Sequence, residues 1–167
     1  MMMRVLGLDP GTATTGWGVV EGDGDALRLV EYDAIITPAD RPMPERLRLI
    51  YWGLTDILAR LRVEAVSVEK LFFNKNVRTA LSVGQGRGVA LLTAANAGVP
   101  VFEYTPLEVK QAIVGYGRAT KEQIQQMVRM LLELDHVPHP DDAADALAIA
   151  ICHLQSARLR MVYERGE

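Results

Sequence analysis

The sequence predicts an α/β protein built on a mixed five-stranded sheet flanked by helices, and three observations carry that prediction. The chain opens with three strand-like apolar runs separated by turn residues, which reads as an antiparallel meander. From Pro44 the apolar period changes to helical spacing. Further on, short apolar runs alternate with helical stretches, as they do where strands pair in parallel.

In order, Arg4 to Asp9 reads as a buried strand, Pro10-Gly11-Thr12 as a turn, and Gly16 to Val20 as the returning strand of a hairpin. The cluster Glu21-Gly22-Asp23-Gly24-Asp25 turns the chain into a third strand, Leu27 to Ile36, where Val30, Tyr32, Ala34 and Ile36 share one face. Leu47, Ile50, Tyr51, Leu54, Ile57, Leu58 and Leu61 then form one helical stripe. Ala65 to Glu69 is the fourth strand, about Val77 to Ala97 a helix, and Val101 to Tyr104 the fifth strand. Thr105-Pro106-Leu107-Glu108 and Thr120-Lys121-Glu122-Gln123 match the capping box, so a helix should begin at each. A last helix is expected from about Pro140 to Arg160, with 161–167 as a charged, frayed tail and 1–160 as a single domain.

At 167 residues, with 49% hydrophobic and 23% charged residues, the chain suits one globular core rather than a disordered or fibrous architecture. It contains no apolar run long enough for a membrane span and no signal-like segment, so a cytoplasmic location is expected. The single cysteine, Cys152, sits in an apolar helical run and reads as core. The net charge of −3 argues weakly against nucleic acid as a partner; setting four site carboxylates aside turns it into +1, so a local basic surface stays open.

Those four carboxylates are Asp9, Glu69, Asp142 and Asp145. Asp9 and Glu69 each end an apolar strand, where a side chain can reach from the sheet edge into a cleft; neighbouring strands would bring them together. Alone, Asp9 before Pro-Gly is also ordinary turn chemistry, and Asp142 in a helix's first turn merely complements the helix dipole. Asp145 is more informative. It shares a face with Asp142, lies on the stripe of Ala148, Ile149 and Cys152, and has no Lys or Arg within a helical turn. A carboxylate there needs a cation, and an all-oxygen donor set selects Mg²⁺ or Mn²⁺ over zinc. Such clusters suit phosphodiester hydrolysis assisted by two ions, and no Ser, Cys or His arrangement suggests a covalent nucleophile.

The segments Leu8-Asp9-Pro10-Gly11, Val68-Glu69, Gly84-Gln85-Gly86-Arg87-Gly88, Val109-Lys110-Gln111 and Asp142-Ala-Ala-Asp145-Ala-Leu-Ala-Ile-Ala together resemble the RuvC family of Holliday-junction resolvases over about the whole chain. The resemblance implies a ribonuclease H-like fold, a homodimer, and paired symmetric nicking of four-way DNA junctions in recombination and repair, with Mg²⁺ or Mn²⁺. It further implies the branch-migration proteins RuvA and RuvB as partners, and the four acids as the catalytic set. Phe72 matches the family's junction-contacting aromatic, while its neighbour Phe73 reads as either core or exposed. Lys110 and Lys121 match lysines near the active site and would bind phosphate. Arg78, Arg87, Arg118 and Arg129 are further candidates for the same surface, with ordinary solvated charge as the alternative for each.

Gly84, Gly86 and Gly88 fall inside a helix, where each costs up to about 1 kcal/mol relative to Ala. Close packing on the protein's own sheet and helix packing across a dimer are both open explanations. Leu8 to Gly16 also resembles the phosphate-binding hairpin of actin-like ATPases and sugar kinases, which need two such lobes. A non-cutting DNA-binding subunit on the same fold is a second alternative. His136, His139 and His153 show no metal-ligand spacing.

Overall fold

The computed structural model describes residues 2–70 and 77–166. Three strands, β1 (Met3–Asp9), β2 (Thr14–Gly22) and β3 (Leu27–Ile36), form the antiparallel meander. They are followed by α1 (Met43–Arg60), β4 (Ala65–Glu69), α2 (Val77–Asn96), β5 (Val101–Tyr104), α3 (Pro106–Val114), α4 (Lys121–Leu131) and α5 (Asp141–Arg165). The sheet order is β3-β2-β1-β4-β5, with β1, β4 and β5 parallel. This is the mixed five-stranded, ribonuclease H-like arrangement expected.

Strand alternation sorts the core onto the two faces of the sheet. Val5 and Ala65 pack with α3, α4 and α5, whereas Leu6, Leu8, Val66 and Val68 pack with α1 and α2. Burial on both faces explains why β1 and β4 read as nearly continuous apolar runs.

Helix α5 lies close on the sheet because its inward residues are small. A Cβ at Gly16 of β2 would collide with the Asp142 carbonyl, and one at Gly7 of β1 with that of Ala146. Two glycines on the strands and four alanines at Ala143, Ala144, Ala146 and Ala148 therefore set how near the helix carrying two of the acids comes to the strand carrying Asp9.

Both capping boxes form. Thr105 accepts from the Glu108 amide and Thr120 from the Gln123 amide, each with the reciprocal bond, so α3 and α4 start where the sequence places them. The C-terminus differs from expectation: α5 continues past Arg160 to Arg165, where a frayed tail was anticipated. The stretch from Leu159 to Arg165 contains no Gly or Pro, and the helix ends at Gly166. Among the described residues, no helix is long and apolar enough to cross a membrane.

Candidate active site

The parallel pairing of β1 with β4 places Leu8 beside Val68, so Asp9 and Glu69 emerge next to one another at the same edge of the sheet. Asp9 is also paired across the hairpin with Gly16, the residue against which α5 presses at Asp142. Two strand ends and the first turns of α5 thus deliver the acids to one place. Carboxylate oxygens of Asp9, Asp142 and Asp145 all lie within 4.8 Å of one another. Glu69 stands beside this trio and lines, with Asp9, Asp145, Lys110 and Lys121, a cavity of about 270 Å³ backed by apolar side chains of α3, α4 and α5.

Electrostatics follow from that crowding. Burial, then the charges of Asp145 and Asp142, push Asp9 up to about 8. Burial also raises Asp145, against the opposing charge of Lys121, and raises Glu69, with Asp145 adding and Lys110 opposing. The trio is a partly desolvated concentration of negative charge that a hard cation would relieve, and its donors are all carboxylate oxygens. The residues present therefore fit a hard divalent cation.

The lysines and arginines divide. Lys110 lines the cavity beside Glu69. Lys121, the first residue of α4, places Nζ 3.5 Å from Asp141 Oδ2 and 3.8 Å from Asp145 Oδ2. Asp145 accordingly has a protein cation near it, contrary to the expectation from its own helix, because the partner comes from a different one. Arg78 is exposed on the first turn of α2 and Arg118 on the turn before α4, while Arg129 is half-buried and donates to Gln126 and to the Leu134 carbonyl.

Arg87 is a correction. Only 9% exposed, it donates to the Glu69 carbonyl at 2.7 Å and pairs with the Glu103 carboxylate, so its guanidinium is enclosed rather than offered to a phosphate. The sequence does carry a signal for this burial: Arg87, Ala90 and Ala94 lie at helical spacing on the inner stripe of α2. Phe72 and Phe73 lie outside the described residues. Gly84 and Gly88 do not pack on the sheet; a Cβ at either would meet nothing within 4 Å among the described residues.

Residues 5–153 match the family model for crossover junction endodeoxyribonuclease RuvC. The chain is 63% identical to the RuvC crossover junction endodeoxyribonuclease of Chloroflexus aggregans over 155 residues, covering 93% of this chain and 94% of that one. It superposes on Thermus thermophilus RuvC in complex with a Holliday junction substrate with a TM-score of 0.91 at 42% identity, covering 95% and 96% of the two chains. The yeast mitochondrial Holliday junction resolvase Ydc2, at 14% identity and a TM-score of 0.68 over 95% of this chain and 81% of its own, shares the fold. The chain belongs to the RuvC family of crossover junction endodeoxyribonucleases.

Proposed function

We propose that this chain resolves four-way DNA junctions by metal-assisted phosphodiester hydrolysis, making paired symmetric nicks in recombination and repair. The observation that carries this reading is the convergence of Asp9, Asp142 and Asp145 within 4.8 Å, with Glu69, Lys110 and Lys121 around the adjoining cavity. Asp9, Glu69, Asp142 and Asp145 would hold two divalent ions, Mg²⁺ or Mn²⁺, which supply an activated water and stabilise the leaving oxygen. Lys110 and Lys121 bind the scissile strand's phosphates, and the exposed Arg78 and Arg118 extend the same backbone contact. Arg87 is left out of the phosphate ligands, since its guanidinium is buried against the Glu69 carbonyl and the Glu103 carboxylate. Phe72, outside the described residues, is assigned to the junction on the family resemblance alone.

Two opposed strands require two sites, and a two-fold homodimer supplies them. Helix α2 supports this: Val77, Leu81 and Leu92 are 77%, 65% and 56% exposed, and they align with the open glycines Gly84 and Gly88. An apolar stripe interrupted by glycines lets a second copy of the helix approach closely. The cytoplasm, where chromosomal junctions and the branch-migration proteins RuvA and RuvB would be met, completes the reading, with 1–160 acting as one nuclease domain.

The test is nicking of a synthetic four-way junction beside linear duplex of the same sequence, in Mg²⁺ and in Mn²⁺. Paired nicks near the crossover, absent from the duplex, are expected. Equal cutting of duplex rejects junction selectivity, and absence of cutting with either ion rejects the nuclease reading.

A further inference from the structure

We infer that Arg87 is a positioning residue for Glu69, holding the end of β4 so that the Glu69 carboxylate faces Asp9 across the cavity. The inference rests on the metal-site reading given above. Arg87 reaches from α2 to the last residue of β4, where one arm of its guanidinium donates to the Glu69 carbonyl at 2.7 Å and the other pairs with Glu103 of β5. Glu103 is the strand neighbour of Val68, so the guanidinium ties the two strands together just where their ladder ends. The last such bond runs from the Lys70 amide to the Tyr104 carbonyl at 2.7 Å.

Fixing the Glu69 carbonyl fixes the peptide plane after Glu69; with the plane before it held by the β4 pairing, the direction of the Glu69 Cα–Cβ bond is then set. A lysine at 87 could not grip both partners, because it lacks the planar fork of donors. Charged side chains are seldom this buried unless partnered on every side, and an ion pair alone could have formed at the surface, given that Glu103 is 41% exposed. The same helix also holds the other strand end: Ser82 Oγ lies 2.5 Å from Thr12 Oγ1, in the hairpin that follows Asp9. One helix therefore braces both strand ends that carry acids.

The test is Mn²⁺ titration calorimetry on the full chain, comparing wild type with Arg87→Lys, Arg87→Met and Glu69→Gln, alongside amide exchange of the metal-free proteins. Both Arg87 variants should bind Mn²⁺ roughly 10-fold more weakly, as removal of groups that orient a ligand does. Exchange should quicken at Glu69 and Lys70 and not across β1 and β2. Unchanged Mn²⁺ affinity in both variants overturns the inference, as does quickened exchange throughout the sheet, which marks a general structural role. Junction affinity in Ca²⁺ that falls while Mn²⁺ affinity holds would instead make Arg87 a phosphate contact. If Glu69→Gln leaves Mn²⁺ binding intact, Glu69 is no metal ligand and the functional reading itself fails; this outcome is distinct from one in which Glu69→Gln weakens binding and the Arg87 variants do not.

Discussion

Lys121 places its ammonium 3.8 Å from Asp145 Oδ2, so the first residue of α4 bears on the helix that supplies two of the acids. The charge of Asp145 in turn raises Lys121 above its usual value, keeping it protonated. At 52% side-chain exposure the ammonium also has room to meet a phosphate. The two residues should separate on mutation. Asp145→Asn is expected to abolish cutting while junction binding in Ca²⁺ survives. Lys121→Gln should cut about 10- to 100-fold more slowly and reduce the salt dependence of binding by roughly one phosphate contact. Filter binding across a salt series and a nicking assay check both, and parallel loss of binding and cutting in Asp145→Asn would count against the division of roles.

Without metal, the acids should work against folding. Asp9 sits near 8 in the fold, well above its usual value of 3.8, chiefly through burial. A raised carboxyl favours the fold only below the unfolded value, and its penalty grows as pH rises from about 4 until the folded group ionises near 8. Asp9→Asn should therefore be more stable than wild type in EDTA, by about 1–3 kcal/mol at neutral pH, with the gap widening from pH 5 to pH 8. Thermal melts over that range test it, and a variant no more stable than wild type at pH 8 contradicts the sign.

The parts legible in the sequence are those whose signal is local. Asp9 and Glu69 stand out because each terminates an apolar run, and the parallel register of β1 and β4 then makes them neighbours. Thr105 and Thr120 declare their helices through side chains only three residues away. What escaped depends on contacts between distant segments. Lys121 meets Asp145 across two helices, and Arg87 looks like a solvated helix charge until β4 and β5 enclose it. The end of α5 departs from expectation for another reason: charge density suggests fraying, whereas helix propensity carries the chain on to Arg165.

His153 gives the protein a pH dependence independent of the metal site. The ring is 2% exposed, lies 4.3 Å from the Phe102 ring and has Nδ1 2.7 Å from the Tyr104 hydroxyl. Burial, aided by the charge of Arg160, lowers it from 6.5 to about 4. A depressed histidine favours the fold fully above its unfolded value, and that contribution is lost as pH falls from 6.5 towards 4. The loss should reach about 2–3 kcal/mol. His153→Gln is expected to be less stable than wild type at pH 7 and to lose less between pH 6.5 and 4; parallel curves from urea melts would show that His153 is not the titrating group.

The open face of α2 makes the strongest prediction about assembly. Leu81 is 65% exposed on a stripe with Val77, Gly84, Gly88 and Leu92, and a charge placed there would be buried and unpaired in a two-fold helix contact. On the homodimer proposed above, Leu81→Glu should shift the solution mass from twice the 18.4 kDa of the chain to once that value. Because α2 also braces the strand ends at Thr12 and Glu69, loss of the partner should show in the site as well as in the mass. Sedimentation equilibrium gives the mass and a nicking assay the second readout, in which residual cuts should fall singly instead of in pairs. A Leu81→Glu protein that stays dimeric would move the interface to another face of the molecule.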